Sequence, residues 1–402
     1  MSEADGEGVP DPTPRPQRGR DTTRWRRPIP QRTSSTTRGR QLGLDVARAL
    51  ALVGIMGNHL LGGGTYAAQA TSQIMSDYHA VIFAVLIGCG VQLELDAARR
   101  HGNNPLRNVL VRCIFLIALG LGIASVTQHV AVILLTLGLL TIVAHFAARL
   151  PNPAFIAILT ITYLAAPALT ILNRAHGWTK QLLNAQLHHF ADPINTTGSL
   201  LLADPYPFLV WTVYALAGIA YVRWIINRHT NLARTALASL VVFAVAKIAG
   251  RLLAPAGGIL QQLTETTGYS GSYLNVVASA AVAIFIIATC SLVVKVVHRQ
   301  SAANTKNLSL PRTWLAHEII PTLAAVGQLT LTWYVAHLLV SDEMIPWLEN
   351  LPPAWRYADF AMWAGQVLVI VAVSAWHRRH YRYGPLEAIP RKVASSWGNQ
   401  TR

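Results

Sequence analysis

The stretch LDVARALALVGIMGNHLL, residues 44–61, decides how the chain is read. It is apolar enough to cross a bilayer as a helix, yet it carries Asp45, Arg48, Asn58 and His59. An α-helix turns 100° and rises about 1.5 Å per residue. Arg48 and His59 therefore return to within roughly 20° of one face and lie about 16 Å apart along the axis. Asp45 and Arg48, at i and i+3, touch on that face, and Leu52 and Met56 fill the stripe between. A charge at the centre of a membrane helix costs about 2.5–3.5 kcal/mol on insertion scales, so such residues usually mark function. The simpler reading makes Asp45 and Arg48 an ion pair at one interface and puts His59 near the other. For the aligned set, the functional reading is preferred.

Working outward, the 402-residue chain is 52% hydrophobic and 13% charged, about half the charge of a soluble domain. Long apolar runs with short polar connections make it an all-α, polytopic membrane protein. Spans are expected near 44–63, 79–96, 106–126, 128–148, 153–172, 205–227, 231–254, 273–297, 321–341 and 355–377, about ten. Residues 1–41, rich in Arg, Pro, Ser and Thr, read as a disordered basic tail rather than a signal peptide. Residues 42–380 form the membrane domain, and 381–402 a C-terminal segment on the side of the tail.

The net charge of +15 does not point to nucleic acid, because the basic residues alternate between connections instead of lining one face. With the tail inside, 26 of the 33 Lys and Arg residues fall on the inner side. The outer connections hold only Arg174, Lys180, Arg251 and Arg356, and Arg48, Arg112 and Lys247 lie within spans. By the positive-inside rule both termini are cytoplasmic and the location is the plasma membrane. Cys89, Cys113 and Cys290 have no metal-ligand spacing and read as packing residues, so no metal is expected.

Other polar residues fall in or beside the spans. Thr330, Tyr334 and His337 share one helical face. Tyr334 and His337 join Asp45 and Asn58 as candidate substrate-binding positions, although interhelical hydrogen bonding is the simpler role for His337. Glu94 and Asp96 read as an interfacial cluster with Arg99 and Arg100. Arg112 reads as a snorkelling side chain. Gln92, Gln328, Gln366 and His129 read as helix-borne polar groups in need of partners. Glu387 and Arg391 read as a cytoplasmic cap or ion pair, with a role for the segment at a CoA entrance as the weaker alternative.

Several segments resemble known families. LDVARALALVGIMGNH resembles the first membrane helix of the membrane acyltransferase superfamily, which includes heparan-glucosaminide acetyltransferase and the acyltransferase-3 proteins. Gly62, Gly63, Gly64 and Tyr66 resemble the first loop of the former. AVGQLTLTWYVAHLL (325–339) and RYGPLEAIPRK (382–392) resemble the YeiB-like bacterial family, domain-of-unknown-function family 418. HAVIFAVLIGCGVQLEL (79–95) and YALAGIAYVRW (214–224) resemble further spans of it. The resemblance implies a membrane acyltransferase. Such an enzyme moves an acetyl or short acyl group from acyl-CoA to a hydroxyl or amine of an envelope glycan or lipid. His59 is then the expected general base, and Arg48 the residue that positions the donor. The alternative is a transporter or flippase without covalent chemistry.

Overall fold

The computed structural model describes residues 41–61, 78–102, 104–203, 205–228, 230–303, 315–352, 355 and 357–399. The basic tail, the glycine run Gly62–Gly64 with Tyr66, and Arg356 lie outside them. The described residues form helices and no strands. In order these are α1 (Leu42–Leu60), α2 (Tyr78–His101), α3 (Leu106–Ala124), α4 (Leu134–Ala147), α5 (Asn152–His176), α6 (Pro193–Leu202) and α7 (Phe208–Tyr221). They continue as α8 (Leu232–Leu253), α9 (Gly258–Thr264), α10 (Tyr273–Ala303), α11 (Ile320–Gln328), α12 (Thr330–Glu349), α13 (Ala358–His380) and α14 (Pro385–Asn399).

Among the described residues, seven stretches are long and apolar enough to cross a membrane: α2, α3, α5, α7 extended to Ile226, α8 extended to Ala256, α10 and α13. The pair Leu315–Gln328 and Thr330–Glu349, bent by 69°, makes an eighth if it counts as one span. Two expected spans differ in kind. Helix α1 is diluted by its four polar residues, and α4 has only 14 residues.

Helix α1 is an interior helix. Leu52 and Met56 have no exposed surface, and α1 packs against α2, α10, α11, α12 and α13. Its crossing with α11 is close because Gly327 lies against the carbonyl of Asp45, where any Cβ would collide. Helices α2 and α7 cross in the same way, Gly88 against the carbonyl of Ala215 and Gly218 against that of Val85. Without a hydrophobic drive between helices in lipid, such small-residue contacts supply the packing. Helix α8 is peripheral: Leu237, Val241, Val245, Ile248 and Leu252 form an exposed apolar stripe at helical spacing, as a lipid-facing surface requires.

Residues 125–133 depart from the expected span at 128–148, because they are not helical and α4 starts only at Leu134. Their amides have other acceptors. The Asp342 carboxylate accepts from the N–H groups of Gln128 at 3.0 Å, His129 at 2.6 Å and Val130 at 3.2 Å. Asn184 Oδ1 accepts from Val132 N–H at 2.7 Å, and Tyr334 Oη from Ile133 N–H at 3.2 Å. His129 is therefore not helix-borne. Asn184, between α5 and α6, donates back to the carbonyl of Val130. Non-helical backbone packed among membrane helices is stable only where its polar groups are satisfied.

Candidate functional site

Helix α1 delivers its polar residues to two places. At its start, buried Asp45 accepts from Arg48 Nη1 at 2.6 Å, the i and i+3 contact its spacing predicts. Gln328 Nε2 approaches the other Asp45 oxygen at 3.5 Å. At its end, half-buried His59 meets buried His337 of α12. The rings stack with centroids 5.3 Å apart and planes 9° from parallel, and His59 Nδ1 lies 3.2 Å from His337 Nε2. His337 Nδ1 lies 2.8 Å from Gln366 Oε1 and 3.0 Å from Ser341 Oγ.

These partners favour one placement of the protons. With Gln366 Oε1 as acceptor, His337 Nδ1 carries hydrogen, which leaves Nε2 of a neutral ring as an acceptor. His59 Nδ1 then donates to it, and the His59 lone pair sits on Nε2. This tautomer is assigned from the network rather than seen directly. A base nitrogen whose ring is oriented by a second group, itself held by a third, is the arrangement that general-base chemistry uses.

Arg48 faces a cavity of about 680 Å³ that does not include His59, His337, Asp45 or Asn58 among its lining residues. Helix α2 supplies Phe83 and Ile87, α3 supplies Phe115 and Leu116, and α4 supplies Leu134 and Leu137. Thr330, Leu331 and Tyr334 come from α12. Four guanidinium groups, Arg48, Arg107, Arg112 and Arg391, share the lining with two carboxylates, Glu94 and Glu387. Arg112, part-exposed, pairs with Glu94. Arg391 stacks over Tyr383 at 4.4 Å rather than pairing with Glu387. The cavity thus combines apolar walls with an excess of positive charge.

Glu387 is engaged elsewhere. Its Oε1 accepts from Thr332 N–H at 3.0 Å, its Oε2 from Thr332 Oγ1 at 2.6 Å, and Thr332 Oγ1 accepts from Leu386 N–H at 3.3 Å. Thr332 lies in the first turn of α12, so the carboxylate caps the free amide end of that helix just after the 69° bend. Two sequence patches far apart in the chain, LTLTWY and GPLE, thereby lock together. We expect Glu387→Ala to cost about 1–2 kcal/mol, read as a lowered thermal midpoint of the purified protein in detergent. Glu387→Gln, which keeps an acceptor oxygen, should recover most of it.

The structure brings His59 and His337 together, and Arg48 with Tyr334 onto one cavity. Asn58 is half-buried beside His59 and Asp45 is buried beneath Arg48. Sequence reasoning did not single out Arg107, read Glu94 and Arg112 as local interfacial groups, and gave the Glu387 segment a role at a CoA entrance only as its second choice. The available signal was their clustering in segments that precede or follow spans on one side. Gln92 also has partners: it donates to Asp96 at 2.8 Å and accepts from Arg223 Nε at 3.0 Å.

Comparison with curated proteins gives no match. Residues 222–396 match the model of a family described as protein of unknown function (DUF418), so the part of the chain that holds the bent α11–α12 pair, the capping Glu387 and the cavity face of α14 is similar to that family.

Proposed function

We propose that the chain is a membrane acyltransferase that takes its acyl group from acyl-CoA bound at the arginine-lined cavity. The observation that carries the reading is the chain His59–His337–Gln366, which leaves a lone pair on an oriented imidazole nitrogen. His59 lies outside the lining of that cavity, so the reading requires the thioester to be carried past Tyr334, one turn of α12 before His337, to where His59 Nε2 removes the proton from an acceptor hydroxyl or amine as its oxygen or nitrogen attacks the carbonyl. The new C–O or C–N bond forms, the C–S bond breaks, and the proton passes on to the thiolate as CoA leaves. Arg48, with Arg107 and Arg391 at the rim, holds the phosphates of the donor. The acceptor is an envelope glycan or lipid.

In the orientation we propose, the seven apolar helices, the bent pair, α1 and α4 make ten spans with both termini inside. The cavity then opens toward the cytoplasm, where acyl-CoA is found, because Arg107 and Arg391 lie in inner segments. Labelled acyl-CoA incubated with the purified protein and envelope lipids tests this. His59→Ala should lower transfer by about 100-fold or more with CoA binding retained. Equal transfer by wild type and variant would remove the role given to His59.

One observation favours a second reading, a transporter or flippase. Helices broken within a span, as at the 69° bend before Thr330, commonly build substrate sites in transporters. That reading expects solute or lipid movement in vesicles without any acyl-CoA.

A further inference from the structure

We infer that the cavity receives a long acyl chain beneath an anionic head, so that the donor is a long-chain acyl-CoA and not acetyl-CoA. The inference rests on the acyltransferase reading and replaces the short acyl group that resemblance alone implied.

The lining divides by chemistry. Phe83, Leu116 and Leu137 are buried and Ile87 and Phe115 half-buried, so the side chains drawn from α2, α3 and α4 make a continuous apolar wall. An acetyl group has one methyl to place there and leaves the rest of the wall unused. A volume near 680 Å³ lies within the usual range for sites that enclose a sizeable ligand. Each methylene moved from water onto such a wall strengthens binding by roughly fourfold.

Charge lies at one end of this wall. Arg107 and Arg391 are exposed, and Arg391 reaches the cavity from α14. That helix presents Glu387, Pro390, Arg391, Ala394 and Ser395 to the cavity, positions i, i+3, i+4, i+7 and i+8 of one face. A cation rim above an apolar wall fits a molecule with a fatty tail and a phosphate or carboxylate head. A CoA thioester, a free fatty acid and an anionic phospholipid share that chemistry, and the test must separate them.

The full-length protein in detergent is loaded with labelled palmitoyl-CoA and challenged with CoA, acetyl-CoA, palmitate and phosphatidylglycerol. Palmitoyl-CoA should bind at least about tenfold more tightly than acetyl-CoA, and CoA alone should compete weakly but measurably. Leu137→Trp, which fills the wall, should erase the difference while CoA competes as before. Comparison within one detergent cancels partition into micelles, and the wild-type series decides the matter even if the variant does not fold. Equal affinity for acetyl-CoA and palmitoyl-CoA overturns the long-chain inference and leaves the acyltransferase reading standing. Strong competition by palmitate and phosphatidylglycerol, with none from CoA, supports the chain site and overturns acyl-CoA as donor. No binding of any probe overturns both.

Discussion

Asp342→Ala should cost about 3 kcal/mol or more of stability, seen as a fall of several degrees in the thermal midpoint of the detergent-purified protein. The reason is the number of donors it strands. Asp342 is 8% exposed and collects the amides of Gln128, His129 and Val130, and alanine leaves all three without that acceptor, the buried Val130 amide most severely. A single lost hydrogen bond contributes about 1 kcal/mol, whereas each buried donor left bare costs about 1–3 kcal/mol. Asp342→Asn keeps one acceptor oxygen and should fall between the two. If alanine leaves the midpoint unmoved, then water or a backbone shift satisfies the amides and the segment 125–133 is held by something else.

The second large effect lies at the crossing of α2 and α7. A Cβ on Gly88 would sit 1.9 Å from the carbonyl oxygen of Ala215, and one on Gly218 would sit 1.9 Å from that of Val85. Backbone cannot rotate away as a side chain can, so either alanine forces the helices apart at about 1–3 kcal/mol. The two substitutions should not add. Once one methyl has separated the helices, the second finds room, and the double variant should be more stable than the sum of the singles implies by 1 kcal/mol or more. Denaturation midpoints of the four proteins provide the cycle. Strict additivity would mean that the two glycines relax independently and that the crossing is looser than it looks.

Much of the helical layout was legible because lipid imposes a simple rule: uninterrupted apolar stretches of span length become helices. The alignment of Asp45, Arg48 and His59 on α1 followed from helical geometry alone. The partner of His59 did not. His337 is 278 positions away, and periodicity places a side chain on a face without saying which helix lies opposite. Residues 125–133 misled for a related reason. Val130, Ala131, Val132 and Ile133 are apolar and suit a helix, but Asp342, Asn184 and Tyr334 accept from the amides of Val130, Val132 and Ile133 in place of helical carbonyls. Glu387 looked like the local partner of Arg391, four residues on. It instead reaches Thr332, because a newly started helix after a bend has bare amides that attract a carboxylate more strongly than an exposed guanidinium does.

The three thiols offer a practical opening. Cys89, Cys113 and Cys290 are all buried and unbridged, and a sulfhydryl sunk among apolar side chains is inert toward water-borne reagents. A reporter cysteine placed at His101, Gln181, Ala256 or Tyr383, all exposed, can therefore be labelled in intact cells against a silent native background. Whether a membrane-impermeant maleimide reaches each site decides, connection by connection, which side of the bilayer it faces.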